Sequence, residues 1–227
     1  MSRVLILRPE PGAGKTAARA RDMGLEPVVT PLFAVRSVEW EAPDAGAFDA
    51  VLLTSAHAAR AAPADSLASL PCYTTGEATA EAARDAGFID VHTGTSDGDA
   101  ALALARRDGR MRVLHLCGRD HIELPGVERR IVYAADAAEE LPETASEALA
   151  GEAVALIHSP RAAALFAALV GDRSGVRLAL ISAAAAEAAG DGWAAKAVAA
   201  RPRDEALLEV AAKLCNIGAP GAEQAGR

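Results

Sequence analysis

The sequence alternates short, unbroken apolar runs with alanine-rich stretches of helical length. The runs are RVLIL, EPVVT, AVLLT, PCYTT, VHT, RVLHLC, RRIVYA, AVALIHS and VRLALIS. A strand that is apolar on both faces has to be covered on both, so such strands separated by helices predict parallel sheets with helices on either side. An antiparallel sheet with one wet face would show alternation within each run instead. Hydrophobic residues make up 51% of the 227 residues and aromatic ones only 4%, so the core is mostly Ala, Leu and Val, which suits helices packed closely on a sheet. A chain of this length can bury one large core or two small ones. Helix punctuation agrees. Ser159 followed by Pro160 reads as an N-cap with proline at the first helical position, and Gly24 and Gly87 stand where a helix should stop before a strand.

An internal repeat points to two related halves. VLILRPEPG from Val4 echoes VLHLCGRDH from Val113, and GLEPVV from Gly24 echoes GVERRIV from Gly126. VLLTSAHAA from Val51 echoes ALIHSPRAA from Ala155, and TTGEATAEAARDAG from Thr74 echoes LISAAAAEAAGDG from Leu180. The offsets run from 102 residues (Gly24 to Gly126) to 109 (Val4 to Val113). Alanine-rich composition inflates any one match, but four in the same order predict a duplicated α/β unit.

Bulk chemistry excludes several classes. A net charge of −8 argues against nucleic acid or an anionic membrane as the main partner. Cys72, Cys117 and Cys215 form no C-x-x-C pair and no even-numbered framework, as for thiols in a reducing compartment. MSRVLIL enters a strand at once with no long apolar segment before it, and no apolar run reaches the length of a membrane span, so a cytoplasmic protein is expected. Residues 216–227, rich in Gly and small polar residues, are expected to be a disordered tail.

The stretch RPEPGAGKT resembles a phosphate-binding loop, G-x-x-x-x-G-K-[ST], with Gly14, Lys15 and Thr16 in its last three positions. The first glycine, however, falls on Pro9. Such a loop turns consecutive backbone N–H groups toward phosphate oxygens, and proline has no N–H and a fixed φ. A strand, a turn and a helix start with Lys15 on a solvated face is the simpler reading, and a nucleotide-dependent transferase would need the degenerate loop to work.

In open parallel sheets ligands bind beyond the carboxyl ends of the strands, where loops feed helix N-termini. Those loops here are RPEPGAG, TSAHAA, TTGEAT, CGRDH, SPRAA and ISAAAA. They offer hydroxyls, glycines and three arginines, Arg8, Arg119 and Arg161, with little acid–base equipment. Helix N-termini with exposed N–H groups favour anions, so a polyanionic ligand held by backbone and hydroxyl donors fits the pattern. The five histidines lie in unrelated contexts. His115 and His158 fall within apolar strands as hydrogen-bonded core residues, whereas His57, in a loop after a strand, is a candidate to line a pocket. Ser55 and Ser159 lack a G-x-S-x-G elbow and read as helix caps. Tyr133 ends an apolar strand just before AADAAEELPE, an acidic segment that reads as a solvated linker.

The chain resembles the uroporphyrinogen-III synthase family from about Arg3 to about Leu214. The resemblance rests on the order of VLILRPEPG, MGLEPVVTPLFAV, FDAVLLTSAHAA, TGEATAEAARDAGF, VLHLCGRD, IVYAAD, ALIHSPRAAALFA and ARPRDEALLEVAAKL. It implies two flavodoxin-like parallel α/β domains joined by a two-stranded linker, the first discontinuous: residues 1–35 plus 137–215, and residues 36–136, with crossovers at PLFAV and YAADAAEE. It implies a lyase, a monomer without cofactor or metal, whose substrate is a linear tetrapyrrole polycarboxylate. Hydroxymethylbilane would lose its hydroxyl as water to give an azafulvene; the substituted carbon of ring D would attack it, and the spiro intermediate would fragment and reclose to uroporphyrinogen III with that ring inverted. By the same resemblance Tyr133 matches the residue that assists hydroxyl departure, and a phenol that keeps its proton can donate a hydrogen bond. Thr79 matches the threonine of the G-x-A-T-A turn, and Thr54, Ser55, Gly76, Gly118 and Ser159 match strand-end positions facing the substrate. His57 replaces a usual Asn or Arg, and Ser182 and Ala185 replace a usual Gly and Thr. The short segment between Gly118 and Tyr133, with Pro125, should form a loop where the family has a helix. A non-catalytic two-domain binder of small molecules shares the same polar loops and stays an alternative.

Overall fold

The structure, a computed structural model, describes residues 2–62, 65–94 and 97–216. The chain runs β1 (Arg3–Ile6), α1 (Gly12–Asp22), β2 (Glu26–Val29), β3 (Phe33–Ser37), β4 (Ala50–Leu53), α2 (Ala56–Ala61) and β5 (Cys72–Thr74). It continues through α3 (Glu77–Asp85), β6 (Val91–Thr93), α4 (Gly98–Arg107), β7 (Val113–Gly118), β8 (Val127–Ala137) and α5 (Glu143–Ala150). It ends with β9 (Val154–Ile157), α6 (Pro160–Leu169), β10 (Arg177–Leu180), α7 (Ala183–Ala189), β11 (Ala195–Val198) and α8 (Asp204–Asn216). Apart from Asn216, which closes α8, the tail 216–227 lies outside the described residues. No helix among the described residues is long and apolar enough to cross a membrane.

The chain divides into two compact units, residues 1–34 with 137–227 and residues 35–136. It passes from one to the other twice, within β3 and within β8, which are neighbours in the second sheet. The first unit holds a five-stranded sheet in the order β2-β1-β9-β10-β11, its pairs all parallel. In chain order within the unit this is 2-1-3-4-5, the flavodoxin-like arrangement. The second sheet reads β6-β5-β4-β7-β8, with β3 added at the edge. The repeat maps one onto the other: β4, β5, β6, β7 and β8 stand for β9, β10, β11, β1 and β2. Two halves of the chain therefore each begin in one unit and finish in the other.

The local causes are those of the sequence. Ser159 accepts the Ala162 N–H at 3.1 Å with Pro160 in the first turn of α6. After α1 and α3 the chain reverses at Gly24 (φ 74°) and Gly87 (φ 101°), left-handed positions that a side chain would strain. In the first unit Val4, Ile6, Val154 and Leu156 pack against alanines of α1 and against Leu207, Leu208 and Leu214 of α8. In the second, Val51, Leu53, Leu114 and Leu116 face α2 and α3, while Leu52, Tyr73 and Val113 face α4. Alternate residues of one strand thus enter opposite core layers, as apolar runs require.

Three features differ from the sequence reading. β11 was no apolar run, because an edge strand with half-buried alternation accommodates Lys196. β8 runs on to Ala137, so Tyr133 lies within a strand and not at its end. Asp136 of the acidic segment belongs to that strand and takes Arg36 Nε at 2.6 Å and Arg119 Nη1 at 2.9 Å. Residues 119–126 form a loop, as Pro125 and the short spacing indicated.

Candidate active site

The order of the second sheet reverses direction between β7 and β4, the point where an open parallel sheet leaves a crevice beyond its carboxyl ends. A cavity of about 450 Å³ opens there. Thr54 and Ser55 follow β4, Thr75 follows β5, Gly118 ends β7 and Tyr133 lies on β8. Asp97, Gly98 and Asp99 at the start of α4, and Asp120, His121, Ile122 and Leu124 of the loop, form the remaining walls. Ser55 caps α2 by accepting the His57 N–H at 3.2 Å, and Asp97 caps α4 by accepting the Ala100 N–H at 2.9 Å.

Tyr133 is set by an irregular strand. The β7–β8 register pairs Cys117 with Ile131 but Gly118 with Tyr133, so Val132 is an extra residue and the bulge brings the phenol alongside Gly118. The Arg119 N–H donates to the Tyr133 carbonyl at 2.9 Å. The His57 ring lies 5.7 Å from the Tyr133 ring, centroid to centroid.

Two histidines of different kinds stand at the cavity, His121 in its wall and His115 behind it. His115 is buried, with Nε2 3.0 Å from Thr54 Oγ1. Burial, reinforced by the neighbouring His121 and Arg129, pushes its pKa down to about 4, so the ring is neutral at neutral pH. His121 Nδ1 lies 2.9 Å from the Gly118 carbonyl and 3.2 Å from that of Arg119. Both partners only accept, so Nδ1 carries the hydrogen. Nε2 then accepts from Arg129 Nη1 at 2.9 Å, and Arg129 also pairs closely with Glu123. This chain of contacts fixes the loop that stands where the other unit has α1.

Of the residues expected to face substrate, Thr54, Ser55, Gly118 and Tyr133 meet at this cavity, with His57 beside the tyrosine ring. Gly76 caps α3, and Thr79 is buried within that helix. Arg119 reaches Asp136. Arg8, Ser159 and Arg161 belong to the first unit, where Ser159 caps α6 and the Arg161 guanidinium lies 4.5 Å from the Phe33 ring centre. Asp97, Asp99, Asp120 and His121 were missed. The cue for Asp97 was its spacing as an N-cap after VHT, and for His121 its place three residues beyond the last residue of β7.

The switch point of the first unit is occupied from within. There Asp204 Oδ1 accepts from Thr16 Oγ1 and His158 Nε2, each at 2.9 Å, and Oδ2 accepts from Arg19 Nη1 at 2.9 Å. Arg8 Nη1 stands 3.7 Å away. Burial alone would raise the Asp204 pKa, but these donors outweigh it and hold it at about 2. His158, the repeat counterpart of Thr54, is thus a hydrogen-bonded core histidine. The phosphate-loop resemblance also dissolves: Lys15 is exposed, and Glu10 Oε2 accepts the Gly14 N–H at 2.9 Å, the amide a phosphate would need.

The family profile described as Uroporphyrinogen-III synthase HemD matches residues 14–209. No curated protein sequence matches at a significant level. Uroporphyrinogen-III synthetase from Helicobacter pylori superposes with a TM-score of 0.64 at 18% identity, over 94% of this chain and 100% of that one. A mutant uroporphyrinogen III synthase from the extremely thermophilic bacterium Thermus thermophilus gives 0.54 at 18% identity, over 96% and 99%. At such identity these likenesses concern the fold, and the profile match along most of the sequence carries the assignment: the chain belongs to the uroporphyrinogen-III synthase family.

Proposed function

We propose that this chain closes hydroxymethylbilane to uroporphyrinogen III at the cavity beyond β4 and β7, with Tyr133 as the hydrogen-bond donor to the departing hydroxyl. The observation that carries the location is the phenol held against Gly118 at the switch point of the sheet. The hydroxyl leaves with a proton as water, and the pyrrole nitrogen supplies the electrons that form the azafulvene. The substituted carbon of ring D then bonds to the exocyclic carbon, and the spiro intermediate opens and recloses with the ring reversed. The chain's work is to fold the bilane so that the hindered carbon is the one within reach, and to assist loss of water. Thr54, Ser55 and the N–H groups at the helix starts suit carboxylate oxygens, and the Asp97, Asp99 and Asp120 carboxylates suit pyrrole N–H groups and developing positive charge.

In this reading residues 1–35 with 137–215 and residues 36–136 act as two domains of a cytoplasmic monomer, each with its own core. Amide exchange with and without bound uroporphyrinogen III tests the location. Slowed exchange at residues 55–57, 97–100 and 118–122 supports it, and protection confined to other segments contradicts it.

A further inference from the structure

We infer that His115 is a positioning residue: its Nε2–H donates to Thr54 Oγ1 and so directs the Thr54 hydroxyl proton into the cavity. The inference rests on the reading that this cavity holds the bilane. Two facts fix the tautomer. Nε2 lies 3.0 Å from Oγ1, and Nδ1 is buried with no hydrogen-bond partner among the described residues. A neutral imidazole carries one N–H and one lone pair. With the hydrogen on Nδ1, a buried donor would be unmet; with it on Nε2, the donor is satisfied and only a lone pair is left unused, the less costly outcome.

The tautomer decides what Thr54 can do. If Nε2 accepted, the threonine proton would be spent inside the protein. Because Nε2 donates, that proton remains for an oxygen acceptor in the cavity, either a carboxylate or the hydroxyl of the bilane. The rest of the side chain is fixed. A β-carbon on Gly98 would sit 3.2 Å from Thr54 Cγ2 and 3.3 Å from Leu124 Cδ1, so the methyl packs against the start of α4 while Oγ1 faces His115. The Thr54 carbonyl accepts from Thr75 Oγ1 at 3.4 Å. A histidine inside an apolar strand thus sets the polarity of a hydroxyl at the cavity.

A double-mutant cycle separates this role from a packing role. Thr54→Val keeps the shape and removes the hydroxyl; His115→Gln keeps an amide at the reach of Nε2, whereas the amide of His115→Asn ends near Nδ1. Thr54→Val and His115→Asn should each lower kcat/KM about tenfold. The pair together should be no slower than Thr54→Val alone, and His115→Gln should stay within about threefold of the parent. A fall in kcat at unchanged KM would identify the departing hydroxyl as acceptor, and a rise in KM alone a carboxylate; both support the inference. Equal slowing by His115→Asn with and without the threonine hydroxyl would overturn it, as would an unchanged rate for Thr54→Val. Nitrogen NMR of the folded protein gives a readout independent of turnover: hydrogen on Nε2 supports the inference and hydrogen on Nδ1 defeats it. If the cavity reading itself were wrong, Tyr133→Phe would also leave the rate unchanged; if only the role of His115 were wrong, Tyr133→Phe would still slow the reaction.

Discussion

The phenol of Tyr133 lies against the α-carbon of Gly118, so closely that a β-carbon at 118 would stand 2.6 Å from Cζ and 2.8 Å from the phenol oxygen. The backbone at 118 is not what demands glycine; the tyrosine ring is. Gly118→Ala should therefore swing the ring away instead of unfolding the strand. The expected outcome is a rate lowered as far as in Tyr133→Phe, a melting temperature changed by only a few degrees, and no further loss when the two substitutions are combined. Steady-state rates and thermal melts of the three variants check this.

Tyr133→Phe keeps the ring and removes the donor. Single-turnover rates should fall by roughly ten- to a thousandfold, about 1.4 to 4 kcal/mol of barrier. The lower half of that range is expected, because the pyrrole stabilises its own azafulvene and water can replace a donor in an open cavity. A lowered melting temperature with an unchanged rate would make the residue part of the packing only.

The central strands were legible because burial on both faces leaves no polar position: Val4–Ile6, Ala50–Leu53 and Val154–Ile157 are buried throughout. Outer strands obey no such rule. Val127–Ala137 carries Glu128, Arg129 and Arg130 on its course, and its end resembled a linker because Asp136 meets its partners Arg36 and Arg119 only in the folded chain. The strand-end argument picked out the loops that bring Thr54, Ser55 and Gly118 to the cavity, since it needs only order along the chain; Tyr133 came only from the resemblance to the family, because it sits inside a strand. It also nominated Arg119, whose guanidinium lies 2.9 Å from Asp136, a pairing no local pattern reveals. His115 was correctly read as a core histidine, but its bond to a hydroxyl at the cavity depends on the parallel register of β4 and β7.

Lys15 should be dispensable. Its side chain is exposed, and the carboxylate of Glu10 already accepts the Gly14 N–H. Lys15→Ala is expected to retain turnover within about twofold, and calorimetry with magnesium ATP should show no binding. A hundredfold loss, on the order of a positioned catalytic group, would restore the phosphate-loop reading.

Acid should weaken the second unit through His115. Its folded pKa is held at about 4 chiefly by burial, with the Arg129 charge nearby, below the ordinary value of 6.5. Between those values the unfolded chain binds a proton that the folded chain refuses, so stability falls as pH drops from 6.5 toward 4 and levels off below. The expected loss between pH 7 and 4.5 is about 2 kcal/mol. Asp204, held at about 2, adds its own loss only below the ordinary carboxylate range near 3.8. Urea unfolding at pH 7 and 4.5 should show a smaller loss in His115→Gln than in the parent, and equal losses would contradict the assignment.

Hydroxymethylbilane closes spontaneously to the type I isomer, so the identity of the product reports directly whether the chain inverts ring D. Purified protein incubated with hydroxymethylbilane, the products oxidised and separated by isomer, should give predominantly uroporphyrin III. Uroporphyrin I alone, at the rate seen without protein, would contradict the account.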